Sequence, residues 1–152
     1  MRSPSTRLLR IAAVVCGIAL TSTTSAYAAP SSPTRRATVC KVSANNPHWS
    51  KGAKSVIYKT RVECAGNRPT VRIRCEGQLI YSAGGSPSTA ASSSEIKTVT
   101  NTGAQTTYYT PEAGGRKVDW SGRFQGSTTC YFVDPGGTVG SDETSVVNVT
   151  AG

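Results

Sequence analysis

The chain has 152 residues, with 17 lysines and arginines against 8 acids, one histidine, five cysteines and a formal charge of +9. That length suits one folded domain rather than two, and a lone histidine leaves no imidazole set for a metal centre. No catalytic, metal or cofactor signature is present, so no cofactor is expected.

Read from the N-terminus, Arg2, Arg7 and Arg10 precede an apolar run from Ile11 to Leu20. Such a run is too short for a hydrocarbon core that needs about 20 residues. Cations, apolar core and small residues in that order predict a secretory signal peptide over 1–28, cleaved after Ala28, with Ala26 and Ala28 in the two small-residue positions. Cys16 follows Val15 inside the apolar run, which disfavours a lipid-attachment site. The only Arg-Arg pair, Arg35 and Arg36, lies beyond the cleavage point. The expectation is therefore the general export route, an extracellular destination and a mature chain without a membrane span.

Removing 28 residues from 152 leaves 124, and the charge falls from +9 to about +6 as Arg2, Arg7 and Arg10 depart. Residues 29–37 read as a flexible N-terminal segment and 38–152 as a single domain. Cys40, Cys64, Cys75 and Cys130 remain, an even number that predicts two disulfides in an oxidising compartment. Three pairings are open. Cys40 with Cys64 and Cys75 with Cys130 is preferred, because Cys64 and Cys75 flank what reads as one tight hairpin and would be offset along it.

That hairpin is the clearest strand signal. From Ser55 to Cys64, Val56, Tyr58, Thr60, Val62 and Cys64 alternate with Lys59, Arg61 and Glu63. Ala65 to Pro69 supply turn residues. Thr70 to Tyr81 then repeats the alternation, with Val71, Ile73, Cys75, Leu79 and Tyr81 inward and Arg72, Arg74 and Glu76 outward. Further strands are predicted at Thr38 to Ser43, Glu95 to Asn101, Gln105 to Thr110, Arg116 to Gln125, Thr128 to Val133 and Thr144 to Thr150. Gly122 reads as a bulge or close-approach point. Ala83 to Ser94, rich in Gly, Ser and Ala, reads as a mobile loop within the domain. Short strands separated by turns predict an all-β fold, an antiparallel immunoglobulin-like β-sandwich with two disulfides, with a small closed β-barrel as the rival.

The outward positions carry the functional expectation. Lys59, Arg61, Arg72 and Arg74 would lie side by side on the hairpin, a cationic face extended by Lys51 and Lys54. The field favours an anionic cell-wall polymer or polysaccharide, and nucleic acid has no support beyond net charge. The plain alternative is a solvated face whose ion pairs contribute little. Trp49, Tyr108, Tyr109 and Tyr131 read as the more exposed rings, and Trp49 beside the cations is a candidate ligand contact. Adjacent Tyr108 and Tyr109 must point to opposite faces of their strand. His48 would serve catalysis only with Ser50 or Ser55 as nucleophile and an acid such as Glu63. Carboxylate pairs such as Glu112 with Asp119, or Asp134 with Asp142 and Glu143, have no supporting motif.

The run Asn46 to Cys64, NPHWSKGAKSVIYKTRVEC, with Tyr108-Tyr109-Thr110-Pro111, resembles small secreted β-rich proteins of actinobacteria. The resemblance implies an exported β protein and lends no site residues. The sequence thus predicts a secreted, non-enzymatic binding or surface-associated module acting through a basic hairpin face. The alternative is a secreted protease inhibitor presenting Arg68 or Lys51, and third is a small His48-dependent hydrolase.

Overall fold

In the computed structural model, which describes residues 37–152, nine strands form two antiparallel sheets, and no helix occurs among the described residues. The expected signal peptide over 1–28 and all but the last residue of the segment 29–37 lie outside the described residues. In chain order the strands are β1 (Val39–Ala44), β2 (His48–Ser50), β3 (Ser55–Ala65), β4 (Thr70–Ala83), β5 (Ser86–Thr100), β6 (Thr106–Thr110), β7 (Gly122–Phe132), β8 (Thr138–Glu143) and β9 (Val147–Val149).

The first sheet is built on β3, which pairs with β6 and with β1 and β2. The second runs β5-β4-β7-β8, with β9 also on β7. Strands β1, β3 and β6 facing β5, β4, β7 and β8 give the strand grouping of an immunoglobulin-like sandwich, and neither sheet closes into a barrel.

The expected β3–β4 hairpin is corrected. The alternation in both strands is as expected, with Val56, Tyr58, Val62, Cys64, Ile73, Cys75 and Leu79 all buried. Yet β3 and β4 lie in different sheets and share no ladder. Alternation determines which face of a strand is apolar but not which sheet the strand joins. Two consecutive strands with strong apolar faces can bury them by facing each other across a core as readily as by lying side by side. The Ala65–Pro69 segment makes that crossing. The Asn101 backbone N–H donates to Pro69 O at 2.9 Å, and its side-chain amide donates to Gly66 O.

Three further expectations change. Residues 86–94 are not a loop but the first half of β5, paired with β4 along its length. Its serines and threonines need only a half-wet surface, and Ala90 and Ala91 are small enough to enter the core beside Leu79. The predicted strands at 116–125 and 128–133 merge into β7, which begins at Gly122, where a Cβ would collide with the Tyr81 ring. Upstream, Val118 leaves the second sheet and docks on β3, its carbonyl accepting from the Val56 backbone N–H at 2.7 Å. Strand β8, in a stretch of Thr, Gly, Ser and Asp with little apolar patterning, was not anticipated.

Both disulfides have the preferred pairing, Cys40–Cys64 and Cys75–Cys130. Each joins residues directly opposite in one sheet, β1 to β3 and β4 to β7. Neither of these disulfides links the two sheets. That task falls to packing and to side chains reaching across. Tyr58 donates to Ser127 O at 2.6 Å and Tyr108 to Ile73 O at 3.0 Å. At the two sandwich edges, Lys97 Nζ donates to Thr107 O and the Ala44 N–H donates to the Asp142 carboxylate, each at 2.7 Å.

Candidate functional site

Because β3 and β4 occupy opposite layers, the four expected cations divide. Lys59 and Arg61 lie on the outer face of the first sheet, whereas Arg72 and Arg74 lie on the outer face of the second. The structure therefore does not bring Lys59, Arg61, Arg72 and Arg74 together, and no single cationic hairpin face exists.

The two pairs also differ electrostatically. Arg74 Nε is 3.2 Å from Glu76 and stands 5.4 Å over the Tyr131 ring, while Arg72 reaches Asp134 at 3.9 Å. Strand β4 and the β7–β8 turn thus supply local counter-charges. On the other layer, Lys59 and Arg61 take part in no ion pair among the described residues.

The register shows what surrounds them. Arg61 lies between Ser43 of β1 and Thr107 of β6, and Lys59 is opposite Tyr109. One row further, Lys41 of β1 is opposite Glu63. Side chains directly opposite stand about 5 Å apart at Cβ, and diagonal neighbours are within reach of long side chains. Lys41, Lys59 and Arg61 therefore form a contiguous cationic patch with Glu63 as the one acid in these registered rows. Lys41 was missed as a site residue, although the Val39, Lys41, Ser43 alternation already placed it outward. It joins the patch only because β1, and not β4, is the neighbour of β3.

Tyr109 completes the patch. The residue is 40% exposed, and its ring lies 5.7 Å from Lys59 Nζ and 5.9 Å from Lys97 Nζ. Ammonium groups at these distances favour the electron-rich ring face. Tyr108, by contrast, is buried at 3% and belongs to the core, which corrects its expected exposure while keeping the two rings on opposite faces. Burial, followed by the nearby Glu95 carboxylate, pushes the Tyr108 phenol well above the ordinary tyrosine range. Trp49 is half-buried against the cluster that holds Val56 and Tyr58, so it is a packing residue at the sandwich rim more than a free ring.

The other expected residues are dispersed. Beyond Tyr109 a hollow of about 520 Å³ opens under the Pro111–Lys117 segment, with Ile57 and Tyr109 in its lining. His48 is exposed on β2, with Nδ1 3.3 Å from Asn46 O. Ser55 is buried and accepts from the Val118 N–H at 2.9 Å, and Ser50 accepts from Ala53, so neither serine hydrogen-bonds the imidazole. Lys51 lies in the tight turn before β3, and Arg68 on the β3–β4 crossing. Among the described residues no group of three or more His, Cys, Asp or Glu could hold a metal ion.

No protein-family model matches the chain, and a search of curated proteins finds no relative.

Proposed function

We propose that this protein is an exported, non-enzymatic binding module that engages an anionic cell-wall polymer or acidic polysaccharide through the outer face of the first sheet. The observation that supports this reading is the contrast between the layers. Arg72 and Arg74 are matched by Asp134 and Glu76, whereas Lys59 and Arg61 take part in no ion pair among the described residues and are grouped with Lys41 beside the exposed Tyr109. Like charges on neighbouring strands cost stability, and an anionic ligand turns that cost into binding energy. Tyr109 adds a flat ring on which a sugar can stack. Two disulfides fit an oxidising extracellular setting.

Co-sedimentation of the oxidised protein with purified bacterial cell walls tests the proposal. Retention at low ionic strength should fall steeply as salt shortens the screening length from about 30 Å at 0.01 M to about 8 Å at 0.15 M. Retention that is absent at low salt, or that persists unchanged at high salt, overturns it.

A further inference from the structure

At one end of the sandwich, away from the cationic patch, the β3–β4 crossing, the β7–β8 turn and the residues just before β1 border an open cavity of about 740 Å³. This lies within the range of small-molecule sites. Its lining includes Val71, which is buried, and Phe132, which packs on the second core cluster. Phe132, only partly buried, presents the apolar wall here, with Val71 behind it.

The walls are held in place. Asn101 bonds the crossing at both Gly66 O and Pro69 O. The β7–β8 turn is closed by the Phe132 N–H donating to Gly137 O at 2.8 Å, and Val133 N donates to Arg72 O at 3.0 Å. Gly66 lies so near the chain at Thr38 that a Cβ would come within 2.5 Å of the Thr38 Cα. A cavity with fixed walls loses little conformational freedom when a ligand enters.

The polar groups indicate the ligand. Asp134 in the lining is 3.9 Å from Arg72, which stands outside it, whereas Arg68 takes part in no ion pair among the described residues and leaves its positive charge beside the apolar lining. Thr38, also in the lining, buries its Oγ1 without a hydrogen-bond partner. Buried polar atoms are ordinarily satisfied, but this one is covered where the chain passes Gly66, so the charged group on the hollow is what selects the ligand. We propose that this cavity is a preformed site for a small monoanionic amphiphile, an aromatic or branched aliphatic carboxylate whose body rests on Val71 and Phe132 and whose acid group meets Arg68. The site is independent of polymer binding at the first sheet.

The experiment is a ¹H–¹⁵N NMR titration of the oxidised protein with 1-naphthoate and with its uncharged counterpart 1-naphthalenemethanol. Saturable shifts are expected at Asn67, Arg68, Val71 and Phe132, with the carboxylate bound at least tenfold more tightly than the alcohol. Arg68→Gln, an exposed loop substitution, should abolish that preference while leaving the alcohol's affinity unchanged. Lys59→Glu with Arg61→Glu should leave both affinities unaltered. Shifts that do not saturate, that map to β1, β3 and β6, or a carboxylate preference that survives Arg68→Gln would overturn the assignment.

Discussion

Tyr58 has no exposed surface because two glycines leave room for it: a Cβ on Gly126 would stand 2.8 Å from its ring, and one on Gly77 would stand 2.7 Å from its hydroxyl. Gly126→Ala should therefore overpack the core and destabilise the fold by about 1–3 kcal/mol, read as a lower urea midpoint, and an unchanged midpoint would show that the ring can yield. The phenols of Tyr58 and Tyr108 also link sheet to sheet, and burial raises both their pKa values. The unfolded chain ionises its tyrosines near pH 10, while the folded chain keeps these two protonated to higher pH. Their contribution to stability is thus complete below about pH 10 and is lost as pH rises beyond it. Urea midpoints measured from pH 8 to 11 should fall above pH 10, and less steeply in Tyr108→Phe. The inward positions of β3 and β4 were legible because strong alternation needs no knowledge of the partner strand. The role of Tyr108 was not, since a Tyr-Tyr pair gives no sign of which ring faces the core.

At the scale of elements, what alternation could not supply was the identity of neighbours. Strand β5 shows why. Its core-side register positions 93, 95 and 97 hold Ser, Glu and Lys, while Ile96 on the other face is 48% exposed. As an edge strand in the second sheet, β5 places Glu95 and Lys97 at the seam with β6, where they pair at 3.1 Å. Inward charges, Pro87 and the register shift at Leu79/Ile80 are devices that keep an edge from pairing with another chain. They also erase the apolar alternation by which a strand is recognised. The disulfides belong to this scale because each joins strands within one sheet, closing separations of 24 and 55 residues. Loop closure predicts losses of about 3 kcal/mol for Cys40→Ala with Cys64→Ala and about 4 kcal/mol for Cys75→Ala with Cys130→Ala. Denaturant unfolding of the two double variants checks the order, and the reverse order would contradict a loop-closure origin.

For the whole molecule, the crossing between β3 and β4 decides the electrostatics. A hairpin would have pooled four cations on one surface; the sandwich sends two to each side, and of these four Arg72 and Arg74 alone have acidic partners among the described residues. Composition revealed the excess of positive charge but not its division, which depends on strand order. The most direct test compares two charge-reversed proteins in the cell-wall assay at low salt, Lys59→Glu with Arg61→Glu and Arg72→Glu with Arg74→Glu. Each pair changes the net charge equally, so a response to total charge alone would weaken both alike. At least a tenfold loss of retention is expected for the first pair and less than a twofold change for the second. Equal losses, or a greater loss from the second, would contradict the assignment of binding to the first sheet.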